Sequence, residues 1–416
     1  MRIVSAEEFM RTVRQGSDGL PDVSGILRDI REDGDDAVLR YTRRFDGDAS
    51  RYSEIRQSEK DAAYQAVNEK VKEAINAAAQ RIRAFAERQA ESLSPFETVS
   101  EGTRMGQRMI SLARVGCYVP GGRYPLPSTA LMTVIPARVA GVDEVIVCSP
   151  RIDAVTIVAA DIAGADRIFS VGGVQAIGAM AYGTRSIPKV DKIVGPGNSY
   201  VTASKKMVFG DVGIDMLAGP SEVLIIADSS CDPNLVAADL LAQAEHDPEA
   251  RADVITFSRA TAQGIDTEVR RQMDTIRTRD VAREALARSS IILVEDAQEA
   301  LRLADDMAPE HLELQVTDTS WYEQRLRAYG SLFIGAYSAE SFGDYCSGPN
   351  HTLPTGGAAR YTGGLSPLDF VKVVTYQEME STAAQELSSI AQVLAGVEGL
   401  DAHRKAAAMR TKMDKR

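Results

Sequence analysis

A chain of 416 residues, 44% hydrophobic and 25% charged, has the composition of a soluble globular protein and the length for two or three domains. Its 59 acidic against 47 basic residues leave a net charge of −12, which argues against a nucleic-acid or anionic-membrane surface. The four cysteines, Cys117, Cys148, Cys231 and Cys346, are far apart and form no CxxC pair, so a disulfide framework or a thiolate zinc site is not expected. The N-terminus has no apolar signal core and no run approaches about 18 apolar residues, so a cytoplasmic protein is expected.

Up to about residue 57 the chain is polar. Asp33-Gly34-Asp35-Asp36 predicts the acidic start of a helix over 37–41. Ser58-Glu59-Lys60-Asp61 reads as a capping box opening a long helix. Val67, Val71, Ile75, Ala79, Ile82 and Phe85 carry it on at three- and four-residue steps. At about 35 residues it should bend or be two helices. From residue 109 short β-branched runs bounded by Gly, Pro and Asp alternate with Ala-rich helical stretches such as 155–164 and 175–182. Strands are expected at 145–148, 167–171, 192–194, 223–227, 253–257, 291–294 and 332–334. They do not alternate with polar residues, as befits parallel strands buried on both faces. The result is an α/β fold with right-handed crossovers, two sheets flanking a cleft, and ligands at the strands' carboxyl ends. After about residue 366 the strand signal fades. A helical run over 387–397 follows, then a basic tail from His403-Arg404-Lys405 to Lys415-Arg416.

With only four histidines, His246, His311, His351 and His403, each asks for an explanation. The stretch 239–248 reads as the last turns of a helix stopping near Pro248. Gln243 and His246, three residues apart, leave one face and offer half of a metal's coordination shell. Glu245 points off that face and is expected to be structural. Gly116-Cys117-Tyr118-Val119-Pro120-Gly121-Gly122-Arg123 is either a tight glycine turn or a loop that brings Tyr118 to a ligand. Gly195-Pro196-Gly197-Asn198 follows a strand and opens a helix whose amides could receive a phosphate, although it is not a GxGxxG fingerprint. Gly172-Gly173-Val174-Gln175 brings Gln175 to the same edge. Ser221 lacks a GxSxG elbow and is no hydrolase nucleophile.

Glu310-His311 sets a carboxylate beside an imidazole. Adjacent side chains diverge in regular structure, so the pair suits two separate proton transfers, unless it is a surface helix end. In the segment 343–351, Asp344 offers a hard oxygen and His351 an imidazole, unless the stretch is a solvated loop. Cys346 could form a thiohemiacetal, but no activating cation stands near it in sequence. Glu398 and His403 lie near the C-terminus, where a lone histidine is usually surface.

In this order, CYVPGG, IVGPGN, AGPSEVLIIAD, AQAEHDP, APEHLE, GDYCSGPNHTLPTGG and EGLDAH resemble the histidinol dehydrogenase family over about residues 25 to 410. The resemblance implies an intertwined homodimer of two incomplete Rossmann-like, aldehyde-dehydrogenase-like domains with small helical terminal extensions. It places one domain at 15–117 with 226–365, carrying metal and catalytic residues. The NAD-binding domain would be 118–225, and the extensions 1–14 and 366–416 would serve dimerisation. It implies oxidation of L-histidinol to L-histidine through L-histidinal, the last step of histidine biosynthesis, with Zn2+ and two NAD as cofactors. The zinc ligands would be Gln243, His246, Asp344 and His403, the last lent by the other subunit. His311 would take the alcohol proton and Glu310 would activate water. Ser221, His351 and Glu398 match substrate contacts, together with His311 and the four zinc ligands. Tyr118, Gln175 and Asn198 match NAD contacts. The loop from Arg123 to Pro127 is a variable one. Two rivals remain at this point: a paralogue oxidising another small alcohol such as a sulfonated diol, and a zinc-bridged dimer that binds ligands without turnover.

Overall fold

The computed structural model describes residues 1–13, 19–47, 52–92, 94–121 and 124–411. The expected turn residues Gly122 and Arg123, and the end of the basic tail from Lys412, lie outside them. In chain order the strands are β1 (Arg2–Ser5), β2 (Ser53–Glu54), β3 (Phe96–Ser100), β4 (Thr103–Ser111), β5 (Arg114–Tyr118), β6 (Glu144–Ser149), β7 (Arg167–Ser170), β8 (Lys192–Val194), β9 (Gly213–Ile214), β10 (Glu222–Ala227), β11 (Arg251–Thr256), β12 (Ser290–Leu293), β13 (His311–Gln315), β14 (Ser331–Ile334) and β15 (Val371–Met379). They fall into two compact units. One comprises Met1–Ala90 with Leu112–Phe370, the other Glu91–Ser111 with the chain from Val371 on.

The larger unit holds two six-stranded sheets. The first runs β1-β12-β11-β10-β13-β14 and is parallel throughout. The second runs β2-β7-β6-β5-β8-β9 and is parallel except for its edge strand β2. Leu224, Ile225 and Ile226 are all fully buried, as are Val145, Ile146 and Val147, so successive residues bury on both faces. Helices covering both faces make that possible, and consecutive apolar residues are the result.

Each sheet has a point where the strand order reverses. In the second sheet the chain goes from β5 out to β6 and β7, then returns beside β5 as β8. The carboxyl ends of β5 and β8, at Tyr118 and Gly195, flank this crevice, where ligands of open α/β sheets bind. In the first sheet the reversal lies between β10 and β13. There the candidate residues Glu310 and His311 stand at the amino edge, since Val223 is the register partner of His311. The helix Pro233–Ala244 leaves the carboxyl end of β10 and runs back, delivering its last turn to that amino edge. The second sheet thus offers a crevice at its carboxyl ends, whereas the first brings Glu310 and His311 to its amino edge.

Other expectations need correction. The sheets divide the chain differently from the domain boundaries above. β5, expected in the first domain, is a central strand of the second sheet, and β1, expected in a terminal extension, pairs with β12 of the first. A four-residue β1 and a mostly polar lead-in to β5 carry too little hydrophobic signal to allot them to a sheet. The long helix is two, Gln57–Ala66 and Glu69–Ala90, as expected, but its capping residue is Arg56 rather than Ser58, with Glu59 Oε2 accepting the Arg56 N–H at 2.9 Å. The helix bearing Gln243 ends at Ala244, well before Pro248, so His246 lies beyond it rather than on its face.

The smaller unit is a three-stranded antiparallel sheet, β15-β4-β3, with the helices Ser381–Val397 and Asp401–Arg410. Ser388 Oγ donates to the Ala407 carbonyl at 2.8 Å and ties the two helices. Gly106 is required in β4, where a Cβ would sit 2.6 Å from both the Tyr376 ring and the Phe96 carbonyl. β15 was invisible in the sequence because its strand is largely exposed and polar residues interrupt its β-branched run. Among the described residues no helix is long and apolar enough to cross a membrane.

Candidate active site

The site is built at the amino edge of the first sheet. The helix Ala297–Met307 ends in Ala308, whose φ of +47° is a left-handed turn that swings Pro309-Glu310-His311 into β13. Glu310 and His311 are therefore both buried, 5% and 4% exposed, which removes the surface-helix alternative. Glu310 Oε2 accepts the Glu222 N–H at 3.0 Å, and the Ser221 hydroxyl also bonds to the Glu310 carboxylate. Burial, reinforced by the neighbouring Glu222 and Asp344 carboxylates, outweighs these bonds and holds the Glu310 carboxyl well above the usual range. Glu222 itself is pushed up to about 7 by burial, although the Gly356 N–H donates to its Oε1.

His311 Nδ1 lies 3.3 Å from the Glu222 carbonyl oxygen. A carbonyl only accepts, so this contact assigns the proton to Nδ1 and the lone pair to Nε2. Burial depresses the His311 pKa to about 4, which keeps the ring neutral. Nε2 faces Asp344 Oδ1 at 3.8 Å, while the other oxygen, Oδ2, stands 3.6 Å from His246 Nε2. Asp344 thus lies between two imidazoles. Burial opposes its ionisation, but the His246 contact and the nearby imidazoles prevail, and its pKa falls below the usual value. His351 Nδ1 meets the Asp344 backbone carbonyl at 2.8 Å and must donate, leaving Nε2 beside Thr129 Oγ1 at 3.3 Å. Asn350 braces the same turn through the Met132 carbonyl at 2.6 Å.

Gln243 is fully buried, and neither its amide oxygen nor its amide nitrogen has a hydrogen-bond partner. An orphaned buried amide costs free energy unless something binds it. Glu245, between Gln243 and His246, accepts from Thr278 Oγ1 at 2.5 Å and so holds the start of the helix Arg279–Ala287, as expected of a structural residue. Ser221, Glu310 and His351 line a cavity of about 30 Å³, whose opposite wall is Gly195, Pro196 and Asp215 of the second sheet. The amino edge of the first sheet therefore faces the crevice of the second. On that far side the Tyr118 hydroxyl accepts the Gly173 N–H at 3.1 Å, and Gln175 is buried with an unpartnered Oε1. Asn198 Oδ1 caps the helix Ser199–Val208, accepting from Tyr200 and Val201 N–H, both at 3.1 Å.

Several residues of the site were missed by sequence reasoning. Glu340, 2% exposed, lies 3.5 Å from His311 Nδ1 and is held well above its usual pKa by burial and surrounding carboxylates. Its place four residues before Asp344, on the helix Glu340–Tyr345, was the available signal. His311, Glu340 and Asp344 form a second cluster able to hold a metal. Gly330 presses on the backbone of Glu310, since a Cβ there would fall 2.5 Å from the Glu310 carbonyl oxygen. Glu398 and His403 belong to the smaller unit. Glu398 follows the helix Ser381–Val397, and His403 is exposed on Asp401–Arg410.

A model of the histidinol dehydrogenase family matches residues 10–411. The chain belongs to the histidinol dehydrogenase family. It is 44% identical to the histidinol dehydrogenase of Thermus thermophilus over 407 residues, covering 96% of this chain and 98% of that one. It is 45% identical to that of Cupriavidus pinatubonensis over 401 residues, 94% and 90% of the two chains. The crystal structure of histidinol dehydrogenase from Elizabethkingia anophelis superposes with a TM-score of 0.92 at 35% identity, covering 99% of this chain and 97% of that one. Histidinol dehydrogenase membership carries with it the mixed α/β fold described above and an NAD-linked oxidoreductase activity.

Proposed function

We propose that this protein oxidises L-histidinol to L-histidine through L-histidinal, reducing two NAD and using Zn2+, as the last step of histidine biosynthesis. The observation that carries the reading is Glu310-His311, two buried and differently tuned proton-transfer groups side by side in one cleft. A ligand-binding protein without turnover needs neither.

His311, neutral with its lone pair on Nε2, would accept the alcohol proton while hydride leaves carbon for the nicotinamide. Glu310, as carboxylate, would then take a proton from water attacking the aldehyde, and a second hydride transfer yields the acid. Glu222 N–H and Ser221 would hold the Glu310 carboxylate oriented through that step. Gln243, His246 and Asp344 would hold the metal, with His403 supplied by a second copy in a homodimer. The orphaned Gln243 amide and the Asp344 carboxylate facing His246 fit a nitrogen- and oxygen-liganded cation. Zinc bound there would supply fixed positioning of the substrate's imidazole and amine. His351 and Glu398 would contact substrate. On the cofactor side Tyr118, Gln175 and the amide nitrogen of Asn198 would meet NAD. We further propose the division into a metal-bearing and an NAD-bearing domain, one per sheet.

The test is NADH release from purified protein with zinc and L-histidinol. About two NADH per histidinol are expected, as two hydride transfers require; no NADH overturns the reading. The pKa shifts add a second expectation. Glu310 works only when ionised, and its raised pKa moves the acidic limb of histidinal oxidation upward, so that rate should still climb with pH through a range above the ordinary carboxylate pKa. His311, depressed to about 4, should add no limb within that range. A pH profile with histidinal as substrate checks this, and a flat profile removes Glu310 as the base.

A further inference from the structure

Beneath the Gly195-Pro196-Gly197-Asn198 turn lies an ion pair that the chemistry above does not use. Lys205, on the helix Ser199–Val208, and Asp215 form a salt bridge with side chains 2% and 0% exposed. Burying two charges is costly, and a buried pair is a poor device for stability alone. Its contacts say what else it does. Lys205 Nζ donates to the Gly195 carbonyl at 2.9 Å, and Asp215 Oδ2 accepts the Gly195 N–H at 2.7 Å. Asp215 Oδ1 also accepts the Met216 N–H at 2.7 Å. Both backbone groups of a single glycine are thus gripped by the two halves of one ion pair.

That glycine is constrained from the other side as well. Gly195 has φ +116°, and a Cβ on it would fall 2.1 Å from the Tyr118 carbonyl oxygen. It therefore lies against the end of β5, at the reversal point of the second sheet. With both its polar groups turned inward, Pro196 is presented to the cavity opposite Glu310 and Ser221, and Asn198 is set to cap the following helix. We propose that Lys205 and Asp215 are positioning residues for the dinucleotide. They fix the Gly195–Asn198 backbone in the shape that receives NAD. This inference rests on the dehydrogenase reading of the cleft and adds two residues to its cofactor side.

The test compares Lys205→Met and Lys205→Arg with the wild-type holoenzyme, reading NADH binding by fluorescence, KM for NAD and for histidinol, zinc content and melting temperature. Lys205→Met should raise the NADH dissociation constant and KM for NAD about 10-fold, the scale of a lost charge-assisted hydrogen bond. KM for histidinol and zinc content should change less than about twofold, and Lys205→Arg should recover most of the NADH affinity. Should Lys205→Met not fold, Asp215→Asn serves in its place, keeping the volume and one acceptor oxygen. Unchanged NADH affinity in the folded variant overturns the proposal, as does equal loss of NADH, histidinol and zinc binding, which marks a purely structural pair. Failure of the dehydrogenase reading is separable, because it appears in the wild type as no NADH formed from histidinol.

Discussion

Glu310→Gln should cut histidinal oxidation by about 10²- to 10⁴-fold, the usual contribution of a positioned general base, while the first hydride transfer falls far less. The substitution is nearly isosteric, and the Gln oxygen can still accept the Glu222 N–H that now bonds to Oε2. The cradle therefore survives and only the base is lost. Stability should hold or rise, since the buried carboxyl is already unfavourable as an anion and a neutral amide removes that penalty. Single-turnover NADH formation from histidinol, set against NADH formation from added histidinal, separates the two steps. The variant should release one NADH rapidly from histidinol and the second slowly. Equal loss in both steps would make Glu310 a structural residue of the β13 start rather than the base.

Much of the fold was readable because parallel strands buried on both faces leave unmixed apolar runs. 223–227 and 145–148 appear in the structure as β10 and β6 with at most a residue added at an end. β13 was not readable, because His311, Glu313 and Gln315 alternate with leucines and look like a half-exposed segment. Glu313 is in fact fully buried, beside Asp239, with a pKa raised by burial and by that neighbour. A buried acid is stabilised only by its surroundings, and those come from a helix more than 70 residues away in sequence. The same holds for the site. Glu310, His311, His246 and Asp344 were each conspicuous as residue types, yet which of them face one another depends on a crossover. The return of the helix Pro233–Ala244 brings His246 to Asp344 at the amino edge, and no local pattern announces that. Lys205 and Asp215 were silent for another reason, since ten residues apart on a helix and past its end they look like ordinary surface charges.

Two overlapping donor sets compete for a metal, and the expected result distinguishes them. Both contain Asp344. One adds Gln243, His246 and His403, the other His311 and Glu340. In the second set the two carboxylates approach different nitrogens of His311, Glu340 at Nδ1 and Asp344 at Nε2, and Nδ1 is already committed to the Glu222 carbonyl. An ion there would also consume the lone pair that the alcohol proton needs. The first set leaves His311 free and gives the orphaned Gln243 amide a partner. His246→Asn and Asp344→Asn should therefore each reduce zinc affinity by more than the roughly 10- to 100-fold typical of losing an outer-shell partner. His403→Asn should lower zinc content and activity together. Glu340→Gln should retain zinc, because that carboxyl stands behind His311 on the Nδ1 side. Zinc content after dialysis against a graded chelator measures all four variants. If Glu340→Gln loses the metal while His246→Asn and His403→Asn keep it, the ion belongs with His311, and neither the base nor the borrowed histidine survives in the mechanism.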